Sequence, residues 1–192
     1  IVLYFYNGQT KLVEEIGFCE SSRSASYVMA EIEKLSFMGR TEQIYFCMEG
    51  NIWCYDLTDG KLTTKISWQE AEQMFVSGDH SCIVIKKKDG VYFLNLEDNT
   101  SLQLEAGESG EIVPQGFIGN DFVYGISARE DWILQSDGSY ARYMKELCIQ
   151  NAEGEIKKQY RDEETLIAGC SILGNQIVLD RVKAVNGSIQ EA

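Results

Sequence analysis

Histidine occurs once, at His80, and proline once, at Pro114, in a chain of 192 residues. With one imidazole available, a self-contained nucleophilic triad has little from which to take its base. The six cysteines show no C-x-x-C spacing, and a single histidine adds little to them, so a structural zinc site is not expected. Long apolar runs are missing as well: no stretch approaches the roughly 18 to 20 consecutive apolar residues of a membrane-spanning helix. Basic residues are scarce, 17 against 30 acidic ones, and a net charge of −13 repels phosphate backbones and anionic membrane surfaces. Nucleic acid is therefore not expected as a partner. The chain opens at Ile1 without a charged leader or apolar h-region, as expected where a signal has been removed or a segment cut from a longer protein.

Glycine, by contrast, is plentiful at 17 residues, which points to many tight turns, and those turns recur. Residues 43–66 and 82–105 share one order of apolar run, turn, apolar run, turn and short strand, at an offset of 39 residues. At that offset Gly50-Asn51 falls on Asp89-Gly90, Trp53 on Tyr92, Asp56 on Asn95 and Asp59 on Asp98. Both dipeptides are two-residue hairpin signals, because type I′ turns need positive φ at both central residues. A third copy at 146–160 aligns Cys148 with Cys54, and its earlier strand is expected at Asp121 to Ala128. The additional length of that copy falls in 129–141, read as an inserted loop. Partial units flank these, around Asn7-Gly8 and Gly174-Asn175. Helix-compatible spacing at 24–37 and a capping-box pattern at Ser67-x-x-Glu70 interrupt the strand pattern locally.

Repeats of about 40 residues built from four short strands are the signature of β-propellers. The spacing predicts an all-β fold, a β-propeller-like array of four-stranded antiparallel blades. About four blade equivalents are expected: a partial blade at 1–20, blades at 28–67, 68–106 and 111–161, and a partial blade at 165–192. On Thr58-Asp59-Gly60 and Ala152-Glu153-Gly154, each following a hairpin, the chain resembles TolB-like and related propeller segments of exported proteins. Through the segments at 122–127, 143–156 and 176–183 it is also similar to propeller regions of cell-envelope proteins of Gram-positive anaerobes. The resemblance covers roughly residues 40–183 and implies a fold and an exported or cell-surface setting; it carries no catalytic signature, and WD dipeptides and Asp boxes are absent.

Among candidate functional residues, His80 lies in Ser77-Gly78-Asp79-His80-Ser81, and a turn histidine capped by Asp79 is favoured over a catalytic base. Gly107-Glu108-Ser109-Gly110 lacks phosphate-loop spacing, and the acidic turns fall short of a calcium loop. Lys86-Lys87-Lys88 is the one basic run, read as a solvated blade edge. The inserted loop is the best ligand-binding candidate: Trp132 and Tyr140 stand with Asp137 in a polar segment, and aromatics are efficient contact residues. The competing reading has Trp132-Ile133-Leu134 extending a strand and packing on the next blade. With Gly50-Asn51 as the loop, Cys47 and Cys54 stand directly opposite, Cβ atoms about 4.5 to 5.5 Å apart, near disulfide geometry; free thiols are nonetheless favoured.

These readings lead to a non-enzymatic binding or scaffolding module that recognises a protein or a carbohydrate through rim loops, with no cofactor and no metal. The alternative is a propeller region of a hydrolase, glycosidase or peptidase, whose catalytic domain lies elsewhere.

Overall fold

The computed structural model describes residues 2–67, 71–107, 110–128, 132–134, 139–185 and 188–191. Two compact units form, Ile1–Ala71 with Leu96–Thr100, and Glu72–Asn95 with Ser101–Ala192.

The first unit opens with a two-stranded antiparallel sheet, β1 (Val2–Tyr6) and β2 (Val13–Phe18). Residues 7–12 connect them, and Asn7 Oδ1 accepts from the backbone N–H groups of Gln9 and Thr10 at 2.9 and 3.1 Å. Helix α1 (Ala25–Lys34) follows, with Ser24 as its N-cap, and buries Val28 and Glu31. The four-stranded sheet β3 (Ser36–Met38), β4 (Gln43–Met48), β5 (Asn51–Asp56) and β6 (Leu62–Ser67) completes the unit in simple up-and-down order. Residues 28–34, counted above with the first full blade, thus belong to the helix. Phe46, Met48, Tyr55, Cys19 and Val28 form the unit's core, joined by Leu3 and Ile16 of the hairpin.

Met48 pairs with Asn51, so the β4–β5 turn is Glu49-Gly50, one residue earlier than the hairpin signal implies. Both residues have positive φ, 50° and 73°. Tertiary contacts favour this placement: Glu31 of α1 accepts from the Glu49 N–H at 2.6 Å, and the Glu49 carboxylate accepts from Ser21 Oγ at 2.6 Å. The consequence is a correction. Cys47 pairs with Ile52 and Cys54 with Tyr45, so the two thiols sit diagonally on one face and both are free. Burial pushes the Cys47 thiol up to about 12, which keeps it protonated and unreactive.

In the second unit, β7 (Gln73–Val76), β8 (Cys82–Lys87), β9 (Gly90–Asn95) and β10 (Thr100–Leu104) form a second four-stranded sheet. Its β8–β9 turn is Lys88-Asp89, again one residue early, so the offset of 39 survives the correction. A third four-stranded sheet comprises β11 (Gly110–Ile118), β12 (Asp121–Ala128), β15 (Glu146–Gln150) and β16 (Ile156–Arg161). Pro114 lies on the edge strand β11, beside a bulge at 114–116, where a missing N–H costs the ladder least. Between β12 and β15 the inserted segment forms its own ribbon, β13 (Trp132–Leu134) with β14 (Tyr140–Arg142). The strand at 132–134 therefore does not extend the blade. A three-stranded sheet, β17 (Leu166–Leu173), β18 (Gln176–Val185) and β19 (Ser188–Glu191), ends the described residues.

The fold is all-β apart from α1, a propeller-like array of antiparallel four-stranded sheets with partial sheets at both ends. Within the second unit, Val84, Val91 and Phe93 of one sheet pack on Ile112, Phe122 and Tyr124 of the next. Phe93, Phe117 and Phe122 meet edge-on or tilted at 5.6 to 6.1 Å between centroids, and each such pair adds about 0.5 to 1.5 kcal/mol beyond its buried area. Val123, Met144 and Leu147 pack on Ile167 of the last sheet.

Candidate functional site

The sheets β7–β10 and β11–β16 are joined differently at their two ends. At the end where β8 and β12 begin, the turn at 77–81 is knotted around Asp79. Its carboxylate accepts from Ser77 Oγ and Ser81 Oγ, both at 2.8 Å, and from Asn120 Nδ2 of the β11–β12 turn at 3.0 Å. Burial works against ionisation there, but these donors and the Ser81 N–H outweigh it and hold the carboxyl at about 2. His80 occupies this turn with φ 64° and donates its backbone N–H to Ser77 O, a local structural role.

At the other end, where β8 and β12 finish, the sheets part into a cleft of about 710 Å³. Val91, Leu104, Ala106 and Ile112 supply its apolar lining, while Lys88, Glu72 and Glu105 bring charge of both signs. The lysine run is therefore more than a solvated edge. Lys86 is half-buried and its Nζ reaches Glu111 Oε1 at 3.1 Å; Lys87 lies 6.0 Å over the Tyr92 ring; Lys88 is exposed. The pleat sends Lys86 and Lys87 to opposite faces of the sheet, and Lys88 lies past the end of β8 in the turn to β9.

Gly110 pairs with Ala128, so the inserted ribbon leaves the sheet beside the cleft wall. The ribbon register sets Trp132 opposite Arg142 and Leu134 opposite Tyr140. The register thus brings Trp132 and Tyr140 to one short ribbon, whose last residue Arg142 bonds Glu111 of the cleft wall, whereas Asp137 lies outside the described residues, as do Trp68 to Glu70. Arg142 donates to Glu111 Oε2, so one carboxylate holds both Lys86 and Arg142. Burial would raise the Glu111 pKa, but these two cations outweigh it and keep it lowered.

The ribbon's return is fixed by packing. Met144 exchanges two backbone hydrogen bonds with Ile167, 2.9 and 2.8 Å, and Lys145 N donates to Ile126 O at 2.8 Å. A Cβ built on Gly125 would overlap the Met144 sulfur, so this glycine is the notch that seats Met144. Sequence reasoning missed Glu111, Gly125 and Met144. A glycine inside the apolar run at 122–126 was the available signal for a close approach. Among the described residues no group of three His, Cys, Asp or Glu side chains is placed to hold a metal ion, and no helix is long and apolar enough to cross a membrane.

No protein-family model matches the sequence, and comparison with curated proteins finds no match. Solved structures with related backbones include the N-terminal domain of Nup159, at 14% identity over 82% of this chain and 47% of that one, TM-score 0.36. Acylaminoacyl peptidase of Pyrococcus horikoshii matches at 12% identity over 83% of this chain and 32% of that one, TM-score 0.40. TolB from Acinetobacter baumannii matches at 11% over 95% and 57%, TM-score 0.29. The chain spans less than half the length of the Nup159 and peptidase chains it matches. The fold stands on the strand pairing described above.

Proposed function

We propose that the protein is a non-enzymatic recognition module that takes a segment of a partner protein into the cleft at the end of β8 and β12, with the inserted ribbon as the second wall. The observation that carries this reading is the joining of the ribbon root to the cleft wall through Glu111, which makes one surface of two elements. Protein is favoured over carbohydrate by the sheet-side lining, where aliphatic patches edged by charges of both signs suit a peptide. The lowered pKa of Glu111 suits an ion-pairing carboxylate; a general acid needs the opposite shift. An exported or cell-envelope setting in a Gram-positive anaerobe belongs to the same proposal and is supported by sequence resemblance alone.

The test is a panel of displayed peptides and a glycan array probed with the wild type, Trp132→Ala and Lys88→Glu. Peptide binding weakened by both substitutions supports the reading. Binding of glycans alone, or peptide binding indifferent to both substitutions, refutes it.

A further inference from the structure

We infer that Glu111 is a positioning residue: by accepting from Lys86 of β8 and Arg142 of β14 together, it latches the inserted ribbon to the cleft wall and preforms the recognition surface. The use of this latch rests on the recognition reading above, but the latch itself is a property of the free protein.

An isolated two-stranded ribbon is marginal in water, and β13–β14 has three residue pairs, so its order must come from anchors. Two anchors of different kind are found among the described residues. Met144, buried over Gly125 and bonded to Ile167, fixes the chain just after the ribbon. That contact is apolar and backbone-made, hence insensitive to salt. The second anchor acts on the ribbon itself, because Arg142 is its last residue and pairs with Trp132. Here the side chains are only partly covered, 19% exposed for Lys86 and Arg142 and 35% for Glu111, so dissolved ions reach the bridge and screen it. Loss of the Glu111 charge therefore frees the ribbon while Met144 holds the sheet in place. A partner then meets a ribbon that must be ordered on binding, and it pays that ordering entropy in affinity.

Amide hydrogen exchange on the whole chain, without any partner, tests the latch. In Glu111→Gln, which keeps shape and removes charge, amides within 132–134 and 140–142 should exchange about tenfold faster than in the wild type. Those of Val123 and Cys148 should be unchanged. Raising salt to about 1 M should speed ribbon exchange in the wild type and leave the variant unaffected. Unchanged ribbon exchange in the variant overturns the inference, as does acceleration shared equally by β12 and β15. An equal salt response in both proteins overturns it too. Because no partner is present, failure of the recognition reading would leave these outcomes intact, and failure here would leave peptide binding to be judged separately.

Discussion

One pair of sheets in the second unit has a closed end and an open end. The closed end is filled by Phe93, Phe117 and Phe122 and tied by Asp79 to Asn120; the open end keeps a cleft and relies on Lys86, Glu111 and Arg142. Apolar packing and multiply bonded turns make the first end rigid. Partly hydrated ion pairs make the second end adjustable, and the insertion is placed there. Regions that bind are drawn from the less stable part of a fold, and here the division runs along the length of the same strands.

That contrast is broken most severely at the closed end. Phe122, fully buried, should cost about 3 to 5 kcal/mol on truncation to alanine, read as a loss of chemical-denaturation midpoint. Midway along β12, Gly125→Ala forces Met144 from its notch and should cost about 1 to 3 kcal/mol, with near-ultraviolet circular dichroism reporting the disturbed packing. Tyr124→Phe leaves the buried Gln150 amide oxygen without its 2.7 Å donor and should cost about 1 kcal/mol in the same unfolding assay.

Asp79 sharpens the comparison through pH. Its native carboxyl is depressed to about 2 from the usual 3.8, so its stabilisation is present above the unfolded value and fades as pH falls from about 4 toward 2. Solvent screening limits this to about 1 kcal/mol, and Asp79→Asn should flatten that part of the stability profile. The smallest effect is expected at the open end: Lys88→Glu, on an exposed residue with no ion pair recorded among the described residues, should leave stability within about 0.5 kcal/mol while altering peptide binding.

Much of this fold was legible in the sequence because propeller-like sheets repeat. The offset of 39 places β4–β5 on β8–β9, and β12 runs from Asp121 to Ala128 as the third copy predicts. Turn positions were less legible. Gly50-Asn51 is a good hairpin pair on propensity, but Glu31 reaches across from α1 to hold Glu49 in a left-handed conformation, and such a contact leaves no local trace. That single-residue slip moved Cys47 and Cys54 from opposite to diagonal. The insertion could be located by its length, and its aromatics could be named. What fixes it could not, since Glu111 and Gly125 are distant in sequence from Arg142 and Met144 and acquire meaning only when β11 and β12 pair.

The most direct measurement is hydrogen-exchange footprinting of the wild type with its tightest peptide from the display panel. Protection is expected at 86–91, 103–107, 110–112 and in the ribbon strands 132–134 and 140–142, with the closed end around 77–81 unchanged. Protection confined to other surfaces, with the cleft and ribbon unaltered, would contradict the assignment of the open end as the recognition site.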